Sequence, residues 1–247
     1  MSTVRAAYRS GAFVSLSAAI LAAYELNRLF VPKELREPLA ESYCNYLVNR
    51  LLGIFGAKIA ISGEFAHKSG ALVVANHQSA LDIAVMLSVF RGVMVSWHDV
   101  ADWPLLGRMA KNGATIFVDR GDGHSGAAAV RAMRRRLHDG RTVVAFPEGG
   151  TFPDDTVHDF QPGAFAAVRS LNVPVVPVGL AYSPTVPYEH ESFPRHLARI
   201  AARPRTRVSV HVGEPLPSSL DPRAAAIAAR ARVQELVVDA REELDAS

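Results

Sequence analysis

Short apolar runs, each closed by a turn and followed by a helical stretch, recur along the chain at Leu72 to Ala75, Thr115 to Val118, Val143 to Phe146, Val175 to Leu180 and Val208 to Val212. A strand buried on both faces reads as such a continuous run, and strands separated by helices pair through crossovers, so the alternation predicts an α/β sheet. Lys58 to Ser62 is a candidate further strand beside Val208 to Val212. The tail from Pro222 to Leu244 carries Ile227, Val233, Leu236, Val237 and Leu244 at helical spacing and predicts an amphipathic helix that closes the fold. At 247 residues the chain fits one α/β domain with appendages, long enough to bury a core without disulfides.

The N-terminal part does not fit this alternation. Gly11 to Tyr24 is an almost unbroken apolar run, shorter than the roughly twenty residues that cross a bilayer. Leu26, Leu29, Phe30 and Val31 extend it past Glu25, Asn27 and Arg28. The pattern predicts an interfacial or half-inserted helix; its rivals are a full transmembrane helix and a secretory signal, with Arg5 and Arg9 ahead of the run. Pro32 to Pro38 then interrupts the chain. A second helical pattern follows, with Leu39, Tyr43, Tyr46, Leu47, Leu51, Ile54 and Phe55. Residues 1–56 are therefore expected to form a membrane-associating two-helix segment, and residues 57–247 the α/β domain.

Cys44 is the only cysteine, which excludes an intramolecular disulfide and a Cys-based zinc site and fits a cytosol-facing protein. A formal charge of +3 selects no partner, and nucleic acid is not expected as one. The clusters Arg131, Arg134, Arg135 and Arg136, and Arg199, Arg203, Arg205 and Arg207, read best as solvated surface. His98, Asp99 and Asp102 lack a further suitably spaced ligand, so no metal site is expected.

Directly after the run Leu72 to Ala75 comes Asn76-His77-Gln78-Ser79-Ala80-Leu81-Asp82. The ends of strands are where α/β proteins place their sites. His77 and Asp82 can meet if His77 lies in the turn and Asp82 in the first turn of the next helix. A carboxylate bonded to one ring nitrogen sets the tautomer and makes the other nitrogen a base able to deprotonate an alcohol. The plainer alternative is helix capping, since Ser79 and Asp82 have capping-box spacing and an acid near a helix N-terminus is favourable in itself.

Three further segments follow in order: Gly113-Ala114-Thr115-Ile116-Phe117-Val118-Asp119-Arg120, Phe146-Pro147-Glu148-Gly149-Gly150-Thr151, and Val173-Pro174-Val175-Val176-Pro177-Val178-Gly179. Arg120 closes a short strand and offers a bidentate fork suited to phosphate, or else forms a surface pair with Asp119. The glycine-rich turn brings bare backbone N–H groups close to an anion. Glu148 would repel a phosphate, so it organises this turn or pairs with Arg120. Pro174 and Pro177 are best taken as architectural.

Together with His77 and Asp82, these blocks resemble the glycerolipid acyltransferase family with its His-x4-Asp motif, particularly the bacterial lysophosphatidic acid acyltransferases. The resemblance covers the stretch from Asn76 to Gly179. It implies a glycerol-3-phosphate acyltransferase-like mixed sheet flanked by helices, and a substrate-binding set of Arg120, Glu148, Gly149, Gly150 and Thr151. The implied reaction moves an acyl chain from acyl-CoA or acyl-carrier protein to the free hydroxyl of lysophosphatidic acid, giving phosphatidic acid, with His77 and Asp82 as base and orienter. No cofactor and no acyl-enzyme intermediate are expected, because the alcohol is itself the nucleophile. Partners would be membrane lipid and lysophospholipid at the cytoplasmic face of the cell membrane. The family pattern has a single Gly before Thr, whereas here Gly149-Gly150 precede Thr151 and Phe152-Pro153-Asp154-Asp155 follow. That departure keeps a lyso-ornithine lipid or glycolipid acceptor open. A non-catalytic lipid-binding protein on the same fold is the remaining alternative, against which the intact His77, Asp82, Arg120 and Glu148 argue.

Overall fold

The structure, a computed structural model, describes residues 2–65, 70–119, 121–189, 191–217 and 219–246. Its strands are β1 Ala57–Ser62, β2 Leu72–Ala75, β3 Val93–Trp97, β4 Ile116–Val118, β5 Val143–Ala145, β6 Val175–Tyr182 and β7 Thr206–Val212. Its α-helices are α1 Ser2–Asn27, α2 Arg36–Ile54, α3 Leu81–Phe90, α4 Leu106–Asn112, α5 Gly123–His138, α6 Gly163–Ala166, α7 Phe193–Ala202 and α8 Pro222–Ala246.

The strands form one mixed sheet in the order β1-β7-β6-β2-β5-β3-β4. Every neighbouring pair is parallel except β6 and β7. The anticipated strands are all present, and β1 pairs with β7 from Ala57 opposite Thr206 to Ser62 opposite His211. No local pattern announces β3. It starts two residues after the left-handed Arg91 that ends α3, so its short apolar run merges with that of the helix before it.

Side chains alternate across the sheet as the pleat requires. Val73 and Ala75 of β2 face a core built with Phe13 of α1, Leu47 and Leu51 of α2, Val85 and Met86 of α3 and Ile200 of α7. Leu72 and Val74 face the opposite core, with Met133 and Leu137 of α5 and Ala229 and Val233 of α8. All eight residues of β6 are buried. α8 lies so close to this strand that a Cβ at Gly179 would sit 2.4 Å from the backbone carbon of Leu236. Pro174 and Pro177 serve as acceptors, taking the N–H of Leu72 at 3.0 Å and of Gly213 at 2.9 Å respectively.

α1 is long and apolar enough to cross a membrane, yet one stripe of it, Phe13, Ser17, Ile20, Leu21 and Tyr24, is buried against the rest of the chain. Arg5 and Arg9 anchor its start by donating to Ala202 O at 3.0 Å and Arg203 O at 2.6 Å, at the carbonyl end of α7 where cations are favoured. Near its end, Glu25 accepts from Asn112 of α4 at 3.3 Å. Val4, Tyr8, Val14, Leu26, Leu29 and Phe30 remain exposed on the outer side.

Candidate active site

The turn after β2 is pinned before it carries any chemistry. Asn76, almost fully buried, donates to Leu180 O at 2.9 Å and accepts from Leu180 N at 2.8 Å, which ties the end of β2 to β6. His77 follows. Its carbonyl accepts from Phe152 N at 2.8 Å, its N–H donates to Glu148 Oε2 at 2.6 Å, and its ring stacks on Phe146 at 4.2 Å.

His77 Nδ1 lies 2.6 Å from Asp82 Oδ2. Asp82 is fully buried in the first turn of α3. The same oxygen accepts from Gln78 N at 2.7 Å and Ser79 N at 2.9 Å, while Oδ1 accepts from the hydroxyl of Tyr182. The two readings of the motif therefore coincide: one carboxylate closes the start of the helix and also orients the histidine. Donors converge on both oxygens, and with Asp82 Oδ2 as the acceptor the hydrogen of His77 is assigned to Nδ1. Nε2 then carries the ring's lone pair.

Glu148 stands at the end of β5, the strand beside β2. One oxygen takes the His77 N–H and the other the His158 N–H at 3.0 Å. Burial pushes its carboxyl up to about 7, against the pull of those two backbone donors. Gly149 follows with φ +71°, a left-handed conformation that suits glycine and turns the chain sharply. The pairing of Glu148 with two backbone N–H groups ties the second turn to the first. Arg120 lies outside the described residues; beside it, Asp119 accepts from Gly121 N at 2.9 Å, and its own N–H meets Ser125 Oγ at 2.8 Å.

Several residues around the site carried no signal in the sequence. Tyr182 falls just past the last recognisable block. Gln78 turns away from His77 and donates to Asp154 O at 2.6 Å and Asp155 Oδ1 at 2.9 Å. Asp155 is gripped by Arg241 of α8 at 2.8 and 3.0 Å, and Arg241 also donates to Tyr182 O at 2.7 Å. The back of the turn is thus bonded to the C-terminal helix, about 160 residues away in sequence; no local spacing announces such a contact.

In front of the turn opens a cavity of about 680 Å³, within the range of small-molecule and cofactor sites. His77, Gly149, Gly150 and Thr151 are among its lining residues, so the sequence-predicted residues other than Arg120 meet at one place or in direct contact with it. Apolar side chains such as Leu51 of α2, Leu87 of α3, Met133 of α5 and Phe193 of α7 form its walls. Cys44 also lines it, and burial pushes that thiol up to about 11, which leaves it protonated and inert.

A family model described as Acyltransferase matches residues 58–181, a span that holds both turns. The lyso-ornithine lipid O-acyltransferase of Pseudomonas aeruginosa is 31% identical over 188 residues, 73% of this chain and 72% of that protein. The lyso-ornithine lipid O-acyltransferase of Rhizobium meliloti is 36% identical over 129 residues, 52% of this chain and 44% of that protein. The 1-acyl-sn-glycerol-3-phosphate acyltransferase of Neisseria gonorrhoeae is 32% identical over 116 residues, 47% of this chain and 46% of that protein. The matches thus span less than half of the length of the last two proteins. The crystal structure of the 1-acyl-sn-glycerophosphate (LPA) acyltransferase PlsC from Thermotoga maritima superposes with a TM-score of 0.74 over 100% of this chain and 99% of that one, at 21% identity, and shares the fold. The His77 and Asp82 turn, the Glu148 turn and the mixed sheet that aligns them sit in a chain that belongs to the acyltransferase family.

Proposed function

We propose that the protein transfers a fatty acyl chain from a thioester, acyl-CoA or acyl-carrier protein, to the free hydroxyl of a lysolipid, with lysophosphatidic acid as the acceptor and phosphatidic acid as the product. The observation that carries this reading is His77, oriented through Nδ1 by the buried Asp82 at 2.6 Å and placed in the lining of a largely apolar cavity. His77 Nε2 takes the hydroxyl proton as the acceptor oxygen attacks the thioester carbonyl. The C–O bond forms, the C–S bond breaks, and the proton passes to the departing thiolate. The cavity wall supplies the apolar surroundings that an acyl chain needs. Gly149, Gly150 and Thr151 border the reacting centre, and the role of bidentate donor to the acceptor's phosphate is assigned to Arg120 on its chemistry. Glu148 acts through the backbone of His77 rather than as a base.

Residues 1–56 are proposed to hold the α/β unit of residues 57–247 against the cytoplasmic face of the membrane in which its lipid substrate resides. The exposed Leu26, Leu29 and Phe30 at the end of α1 support that placement.

A lyso-ornithine lipid is the second acceptor to test, on a specific observation. No Lys or Arg occurs between Pro147 and Val168, so the turn that starts at Glu148 offers a phosphate no cationic side chain, a composition better suited to an amine-bearing headgroup. The relative matched over 73% of this chain acts, by its name, on a lyso-ornithine lipid. The test is transfer of labelled acyl-CoA and acyl-carrier protein to lysophosphatidic acid and, in parallel, to lyso-ornithine lipid in detergent micelles, with the parent protein and His77→Ala. Product from the parent alone establishes the reaction and its base, and the preferred acceptor names the substrate. Folded parent protein that makes no product from either acceptor would overturn the proposal.

A further inference from the structure

Beneath the turn that carries His77 lies a second histidine, which the acyl-transfer chemistry does not use. His196 belongs to α7 and is completely buried. Its Nε2 is 3.0 Å from Ser79 Oγ and 3.3 Å from Ala80 N; its Nδ1 is 3.1 Å from Glu191 Oε1 and 3.2 Å from Arg199 Nη2, which is itself bonded to Glu191. A backbone N–H only donates, so Nε2 presents its lone pair to Ala80 and the ring hydrogen sits on Nδ1, directed at Glu191. The Ser79 hydroxyl then also donates to Nε2, and its oxygen accepts from Leu81 N at 3.3 Å. Arg199 locks the far end of this chain, donating to Glu191 at 2.9 Å and 2.5 Å. Tyr188 packs its ring 4.3 Å from that of His196 and donates its N–H to Gln78 O at 2.8 Å.

A serine, a histidine and a carboxylate in that order match the arrangement of a nucleophilic triad. Here the serine does not serve as one. Ser79 is completely buried, its oxygen is occupied by the Leu81 N–H, and the cavity is lined by its neighbours His77 and Ala80 instead. What the arrangement does is mechanical. The backbone N–H of Ser79 is bonded to Asp82 Oδ2, the oxygen that orients His77, while its side chain is bonded to His196.

We propose that His196 is a positioning residue for acyl transfer: as a neutral acceptor it holds Ser79 and Ala80, and through them sets where Asp82 meets His77. The proposal rests on the assignment of His77 as the base. Small displacements of a reacting group have large effects on rate, which is why a contact one layer behind the base matters.

The surroundings keep the ring neutral. Burial holds the imidazole below its ordinary 6.5; Glu191 and Asp82 pull the other way, and Arg199 adds to the effect of burial. A second ring hydrogen would point Nε2–H at the Ala80 N–H, two donors face to face. A group with a depressed folded value binds fewer protons when folded, so the fold loses stability as pH falls below 6.5, while the contact itself persists until pH reaches the lower folded value.

The test compares His196→Phe, which keeps a buried ring but removes the acceptor, with His196→Gln, whose amide oxygen reaches the Nε2 position. In detergent, well below each variant's Tm, kcat for acyl transfer should fall at least tenfold in the phenylalanine variant. KM for donor and acceptor should stay within about twofold, and the glutamine variant should recover most of the loss. The His77 Nδ1 hydrogen, assigned by its disappearance in His77→Ala, should give a downfield proton resonance in the parent and the glutamine variant and lose it in the phenylalanine variant. Parental kcat in His196→Phe, or no recovery in His196→Gln, would overturn the positioning role. A parent that turns over no substrate counts against the acyltransferase assignment instead, and in that case the resonance alone decides whether His196 holds the turn.

Discussion

Tyr182, the last residue of β6, donates its buried hydroxyl hydrogen to Asp82 Oδ1, the carboxylate oxygen that does not face His77. The orienting carboxylate is thus held from both sides, by the turn on one oxygen and by the neighbouring strand on the other. Tyr182→Phe leaves that oxygen without its donor, at a cost of about 1–3 kcal/mol in stability. The expected kinetic result is a kcat reduced by about tenfold with KM nearly unchanged, the mark of a loosened base. Denaturant titration and steady-state kinetics on one preparation check both.

His77→Ala should reduce acyl transfer by roughly two to four orders of magnitude while leaving the fold intact, because general base catalysis supplies about that factor and the His77 ring is partly exposed at the cavity. Asp82→Asn should cost a similar factor, since an amide cannot accept from every donor that converges on the carboxylate. An active His77→Ala protein would remove His77 from the reaction.

Glu148 gives a pH signature whose sign follows from its environment. Burial raises its carboxyl from 4.5 to about 7, so the folded protein binds the extra proton between those values and the unfolded chain does not. Its contribution is most favourable below pH 4.5 and is lost as pH rises through about 7, a change on the order of 3 kcal/mol. Urea titrations across that range should show a slope in the parent protein that is missing from Glu148→Gln; parallel curves would refute the assignment.

Removing α1 outright is a poor test of its membrane role, because Phe13 and Ile20 belong to the core. Leu29 and Phe30 do not, being 67% and 80% exposed. The double change Leu29→Ser, Phe30→Ser should leave Tm unchanged and weaken flotation with lipid vesicles at least tenfold, since burying each side chain is worth about 1.5–3 kcal/mol. Activity toward a short-chain soluble acceptor should be spared, and equal losses on both substrates would sink the membrane assignment.

For Arg120, the discriminating experiment is Arg120→Ala with the acceptor varied. Loss of a charged, bidentate donor should raise KM for lysophosphatidic acid about tenfold and leave KM for acyl-CoA alone. An unchanged KM for lysophosphatidic acid would show that the phosphate is held elsewhere.

Much of the molecule was legible because its signals are local. A strand buried on both faces has to be an uninterrupted apolar run, so β2, β5 and β6 stand out wherever they end up in the sheet, and the pairing of β1 with β7 was anticipated. His77 and Asp82 are five residues apart, close enough for one turn to bring them together, and the turn that starts at Glu148 announces itself through its glycines. The short β3 escaped notice because an apolar run that abuts a helix has no period of its own.

What only the tertiary structure decided is what stands behind those residues. Gln78, Tyr182, His196 and Arg241 come from the turn itself, a strand end and two different helices; chain folding brings them to one turn, and each contact depends on sheet order and helix packing rather than on spacing. The sequence by itself determined the α/β class, the two turns and the pairing of His77 with Asp82 on which the proposed base rests, since each depends on residues that are neighbours along the chain. The support of that base and the extent of the apolar cavity in front of it depend on contacts between residues far apart in sequence, and such contacts exist only once the chain has folded.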